Sequence, residues 1–223
     1  NTIMDYSFFW IISLYEYYKT YGDKDFLEQI QDQMKAVMDF CLERRDEDGF
    51  MRGKPGDWVF IDWAPMDKTG ALCGEQILFA KAMECYAAIC AVIGRDDRGL
   101  GEEAKKLRSQ IFEKFYDTEK KVFIDSYESG KRNVTRQSNI LAYLFLSCDD
   151  TVKKDIYERV VLNDEVPQIT TPYFKFYENQ VHCKAGNTNL LEKSIREYYG
   201  SMLATGATTL YEEYDPTMTG VEH

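Results

Sequence analysis

Between Gly56 and Pro65 the sequence reads GDWVFIDWAP, and the seven residues from Asp57 to Trp63 hold two of the three tryptophans and two carboxylates. A sugar ring has an apolar CH face and a rim of hydroxyls, so its site needs a flat aromatic wall with hydrogen-bond acceptors beside it. Trp58, Trp63 and Asp62 are residues of those types. The same alternation suits a short strand, or a loop that buries its tryptophans for packing, and both alternatives stay open on pattern alone. Near the other end, YYGSMLATGATTLYEEYD (198–215) runs an amphipathic helix into Gly206 and a small-residue turn. It then delivers Glu212 and Glu213 between Tyr211 and Tyr214. A carboxylate among aromatics can act as a general base on water, with a solvated acidic turn as the alternative. No phosphate-binding G-x-x-x-x-G-K-[ST] loop, G-x-S-x-G elbow or H-E-x-x-H helix occurs, so phosphoryl transfer, serine hydrolysis and zinc-protease chemistry have no support. Two histidines, His182 and His223, leave little for a His-based metal site, and His182 reads as a packing or surface residue.

The composition narrows the partners. Lys and Arg number 27 against 38 Asp and Glu, a net charge of −11, the opposite of the basic stripe that nucleic-acid phosphates require. A hydrophobic share of 44% fits a globular chain, and no run of about 18 uncharged apolar residues offers a membrane span. The six cysteines form no C-x-x-C pair and mostly sit in apolar helical runs, so buried free thiols are expected. The opening Asn1-Thr2-Ile3-Met4 has no basic leader region, and the chain reads as a piece of something longer.

The elements that must position these residues are helices of two alternating kinds. Residues 5–21 (DYSFFWIISLYEYYKTY) are apolar or aromatic nearly all round, which a helix tolerates only when buried on more than one side. Residues 25–45 instead place Phe26, Ile30, Met34, Val37 and Cys41 on one face. The alternation repeats with 77–93 followed by a stretch on Ala104, Leu107, Ile111 and Phe115, then with 139–146 followed by 152–161. A fourth pair is formed by 172–183 and 190–203. Fully buried helices alternating with half-exposed ones imply an inner ring wrapped by an outer one, an all-α (α/α) toroid, rather than an irregular bundle. Two long segments, 46–68 and 117–136, exceed the usual connection and are where function would be carried.

These stretches resemble the bacterial α-L-rhamnosidases, inverting glycoside hydrolases of family 78 built on a six-hairpin (α/α)6 toroid. DWVFIDW from Asp57 resembles the family's tryptophan-bearing loop, and YYGSMLATGATTLYEEYD resembles the segment that ends in its general base. TRQSNILAYLFL resembles its Gln-led inner helix, and YYKTYGD the close of another hairpin. The resemblance implies Glu212 as the general base, with Glu213 as the fallback. It implies Trp58, Asp62 and Trp63 in the loop lining the rhamnose pocket, Trp10 as another wall, and His223 in contact with the sugar.

The family's general acid lies in a D-x-x-R-x-E type motif, and no such motif occurs in the chain; ERRDED at 43–48 lacks the spacing. The expectation is therefore about four of six hairpins of one catalytic domain spanning 1–223. This piece would carry the base half of the site and be inactive alone. The resemblance implies a rhamnose-containing carbohydrate as substrate, no cofactor, and flanking domains of the same polypeptide, while charge, hydropathy and the two histidines argue for no nucleic-acid partner, no membrane and no metal. Location stays open between bacterial cytoplasm and periplasm. Another six-hairpin glycosidase, trehalase-like or glucoamylase-like, and a non-catalytic carbohydrate-binding scaffold are the alternatives.

Overall fold

The computed structural model describes residues 2–216, and the chain divides into two compact units. Of the described residues, the first comprises 2–61, 67–116 and 125–132, and the second comprises 62–66, 117–124 and 133–216. Neither is one continuous stretch.

The first unit is built on helix α4 (Cys73–Ile93), which buries fifteen of its 21 residues and packs against α1 (Met4–Tyr21) and α5 (Leu100–Phe115). By length and composition α4 could cross a bilayer, but 67% of its apolar window is buried inside the protein, which accounts for its apolarity. Its partner α5 is amphipathic as its spacing predicts. Leu100, Ala104, Leu107, Ile111 and Phe115 face inward at steps of three and four, and Glu102 and Glu103 open the first turn, where the helix dipole favours acidic groups.

Two sequence expectations need correction here. Helix α1 buries Met4, Asp5, Phe8, Ile11, Ile12 and Leu14, whereas Tyr15 to Tyr21 are only half-buried or exposed. Tyrosine tolerates this, because its ring packs while its hydroxyl stays solvated. Tyr17 stacks near Tyr21 and Phe26 and donates to Asp23 at 3.0 Å. The expected single helix over 25–45 is two, α2 (Lys24–Gln29) and α3 (Gln31–Leu42), meeting at Ile30 with φ −103°. Hydrogen bonds continue through the junction, so the chain is kinked there rather than stopped. The kink turns Leu27 into the core, in line with Met34, Met38 and Cys41, and leaves Phe26 and Ile30 half-buried.

A two-stranded ribbon, β1 (Tyr116–Asp117) with β2 (Val122–Phe123), has all but Tyr116 in the second unit, which continues with α6 (Arg136–Phe145), α7 (Asp150–Ile156), α8 (Pro172–Lys184), α9 (Thr188–Ser194) and α10 (Gly200–Ala204). The expected helices at 152–161 and 190–203 each contain a π-helical turn, at Tyr157–Val161 and Ile195–Tyr199. A π turn inserts a residue and so rotates the next turn of helix about its axis. Helix α9 buries none of its residues, whereas Tyr198 and Met202 beyond the second π turn are buried.

Buried polar side chains organise this unit. Asn139 pairs with the backbone of Phe123 through both its amide atoms, at 2.9 Å each, joining α6 to the ribbon. Glu178 on α8 accepts from Arg136 at 2.7 Å and Lys175 at 2.5 Å. Burial works against its charge, but the two cations outweigh that and hold its carboxyl below the ordinary range. His182, one turn on, is buried with a ring nitrogen 3.0 Å from the Tyr157 hydroxyl, and burial lowers its pKa. Of the cysteines, five are buried as small hydrophobes, while Cys183 is exposed, unlike the expectation for the set.

Candidate active site in the second unit

The loop after Gly56 is anchored from below in the first unit. Asp5, in the first turn of α1, accepts from the backbone N–H groups of Phe60 and Ile61 at 3.2 and 3.1 Å. Trp58 makes a parallel bridge to Ile3, donating its backbone N–H to Thr2 O at 2.8 Å and accepting from Met4 N–H at 3.1 Å. The short strand that the alternation left open is thus a single bridge. Ile61 sits at φ +55°, a left-handed conformation that is costly for a β-branched residue and persists only where surroundings enforce it. Such strain is found disproportionately at working sites. The next two residues are Asp62 and Trp63.

Those two belong to the second unit, where Asp62 turns its carboxylate into the interior. It is 1% exposed; Oδ1 accepts from Thr171 Oγ1 at 2.6 Å and Oδ2 from Gln137 Nε2 at 2.7 Å. The Trp63 backbone N–H is a third donor to it. Burial pushes the Asp62 carboxyl up to about 6 and the Glu213 charge adds to the rise, while the three donors pull it back. Trp63 itself stays 43% exposed, and its indole Nε1–H donates to Glu212 Oε1 at 3.1 Å across 149 residues of sequence.

Glu212 is presented by a small aromatic core. Tyr198, Met202 and Tyr214 are buried together, with Tyr199, Ala207 and Tyr211 packed against them. Tyr198 and Tyr214 meet edge to face, 5.7 Å between centroids. The carbonyl of Thr170 receives both the Tyr198 hydroxyl, at 2.8 Å, and the Tyr214 N–H, at 2.6 Å, which ties the turn carrying Glu212 to the segment entering α8. Thr170 Oγ1 donates to Glu213 Oε1 at 2.7 Å. Both glutamates are exposed, and they differ in partner: Glu213 accepts from a threonine hydroxyl and Glu212 from an indole N–H, each on one oxygen.

Of the residues singled out from sequence, the structure brings together Trp63 and Glu212. Asp62 adjoins them through its backbone, with its carboxylate facing away from solvent. Trp58, 40% exposed and 5.3 Å from the Phe60 ring, and the half-buried Trp10 on α1 belong to the first unit. His223 lies outside the described residues. The pattern missed Gln137, Thr170, Thr171 and Tyr198. A readable signal existed for Thr171, since Thr before Pro is a helix start, and Thr171 Oγ1 does cap α8 by accepting from Phe174 N–H at 3.2 Å. Among the described residues no three His, Cys, Asp or Glu side chains converge on a metal position.

The arrangement can hold a carboxylate in solvent beside an aromatic face, which suits activation of water near a sugar. The family model for the bacterial α-L-rhamnosidase six-hairpin glycosidase domain matches residues 1–223. A GH78 family rhamnosidase from Bacillus sp. GL1 superposes with a TM-score of 0.84 at 27% identity, covering 95% of this chain and 23% of that one. A rhamnosidase from Klebsiella oxytoca, solved with rhamnose bound, superposes with a TM-score of 0.77 at 21% identity, covering 97% of this chain and 41% of that one, and at that identity it speaks for the fold alone. No curated protein sequence matches. The chain thus spans less than half the length of either solved relative.

Proposed function

This chain belongs to the bacterial α-L-rhamnosidase six-hairpin glycosidase domain family, and from that premise we propose that it is part of a catalytic domain removing terminal α-L-rhamnose from glycosides with inversion. Glu212 deprotonates the attacking water, and Trp63 forms an apolar wall beside it. A general acid from polypeptide outside this chain protonates the leaving oxygen, the two carboxyl groups standing about 6.5–9.5 Å apart as inversion requires. The chain alone then lacks half the chemistry and turns nothing over. No cofactor enters this reaction.

The observation that supports the assignment is the Trp63 Nε1–H to Glu212 Oε1 hydrogen bond of 3.1 Å. It leaves Oε2, which accepts no hydrogen bond from the described residues, to take a proton from water. Glu213 has one oxygen taken in the same way, by Thr170 at 2.7 Å; Glu212 is preferred because it is the one that meets the Trp63 indole.

The test is steady-state hydrolysis of aryl α-L-rhamnosides and aryl α-D-glucosides by the intact protein, with the product anomer read by proton NMR. Release from the rhamnoside alone, first as the inverted anomer, is expected. Glu212→Gln should lower kcat by about 10²–10⁴ with little change in KM, and Glu213→Gln by far less. Near-normal turnover in Glu212→Gln removes that residue from its role.

A further inference from the structure

Three dipeptides of the second unit close a ring. Asp62 accepts from Thr171 at 2.6 Å, Thr170 donates to Glu213 at 2.7 Å, and Glu212 accepts from Trp63 at 3.1 Å. Each hydrogen bond joins two dipeptides, and each dipeptide joins two hydrogen bonds. Segments separated by 109 and 149 residues of sequence are thereby locked in register.

Asp62 is the buried corner of the ring. Removing a carboxylate from water costs several kcal/mol unless donors replace the lost hydration. Here Thr171, Gln137 and the Trp63 backbone replace it. Both oxygens are taken, and at 1% exposure a sugar hydroxyl has no approach. Thr171 also caps α8, so the anion is tied to the start of a helix, the end that favours negative charge.

We propose that Asp62 is a positioning residue: by accepting from Thr171 and Gln137 it fixes the Asp62-Trp63 backbone, and so holds the Trp63 indole N–H on Glu212, without touching the sugar. This rests on Glu212 being the base. It replaces the sequence-based expectation that Asp62 binds ring hydroxyls. A geometric role has a distinctive consequence for the isosteric amide. In Asp62→Asn the new NH₂ faces one donor, and Gln137 answers it by turning its own amide to present oxygen. Charge is lost while the hydrogen bonds survive.

The experiment pairs kinetics with the ¹H–¹⁵N resonance of the Trp63 indole in the intact protein, assigned by its disappearance in Trp63→Phe. Asp62→Ala should shift that resonance as Glu212→Ala does, and should lower kcat about 100-fold with KM within about threefold, the scale set by misplacing a reacting group by about 1 Å. Asp62→Asn should leave the resonance in place and keep kcat within about fivefold of the parent. A resonance unmoved in Asp62→Ala overturns the proposal. So does Asp62→Asn if it raises KM about tenfold with the resonance in place, since that marks a sugar ligand. Should Asp62→Ala not fold, Thr171→Val, which deletes one hydroxyl, decides in its stead: the resonance must move. If the parent does not hydrolyse rhamnosides, the functional reading falls, while the resonance still reports whether Asp62 holds Trp63 on Glu212.

Discussion

Two carboxyls show how much environment decides at the scale of one residue. Glu212 lies in solvent beside an indole, whereas Glu75, in the first turn of α4, is 2% exposed and its Oε1 has no partner. Burial pushes Glu75 up to about 8, with the charges of Asp5 and Asp57 adding and Arg52 opposing. The unfolded chain releases the same proton near 4.5. Between those values the folded protein binds more protons than the unfolded one, so raising the pH favours unfolding. The contribution is complete below 4.5 and gone above about 8. Glu75→Gln stays neutral throughout and should flatten the fall of Tm with pH across that window. A parent profile as flat as the variant's would mean that Glu75 is ionised when folded.

Single elements show where pattern was legible and where it was not. Helices α4 and α5 follow from their composition and spacing, because α4 is apolar on more than one side and buried accordingly, while α5 buries residues recurring at steps of three and four. The kink at Ile30 and the π turns at Tyr157–Val161 and Ile195–Tyr199 were invisible, since each re-aims a face to suit neighbours distant in sequence. The site divides the same way. Trp63 and Glu212 announce themselves by type, but Gln137 and Thr171 matter only because folding brings them to Asp62 from 75 and 109 residues away. The anchor under the loop was equally hidden. Asp5 lies in an apolar run, and only the structure shows its carboxylate collecting Phe60 and Ile61 N–H. Asp5→Ala strands both donors in the interior beside a strained Ile61. It should cost about 2–3 kcal/mol in urea unfolding, the usual value for buried hydrogen bonds to a charged group. A loss below about 0.5 kcal/mol, typical of a surface change, would show the loop to be held by other contacts.

At the scale of the whole molecule, the two units borrow segments from each other's stretch of chain. Residues 62–66, with Asp62 and Trp63, count with the second unit although they sit inside the first unit's sequence. A cut after residue 132 therefore separates Trp63 from Glu212, and no simple halving isolates the site. The other whole-molecule property is charge. With 27 basic and 38 acidic residues, the net charge of −11 repels anions over a distance set by salt, about 30 Å at 0.01 M and 8 Å at 0.15 M. A neutral rhamnoside feels no such field. For the rhamnosidase activity proposed for the intact protein, the charge this chain contributes predicts a kcat/KM on a neutral rhamnoside that changes less than about twofold between 0.01 and 0.15 M salt, whereas a rhamnoside whose aglycone bears a carboxylate should gain severalfold as salt screens the repulsion. Equal salt responses for the two substrates would show that the field at the site does not follow the net charge, and that local cations govern what the protein admits.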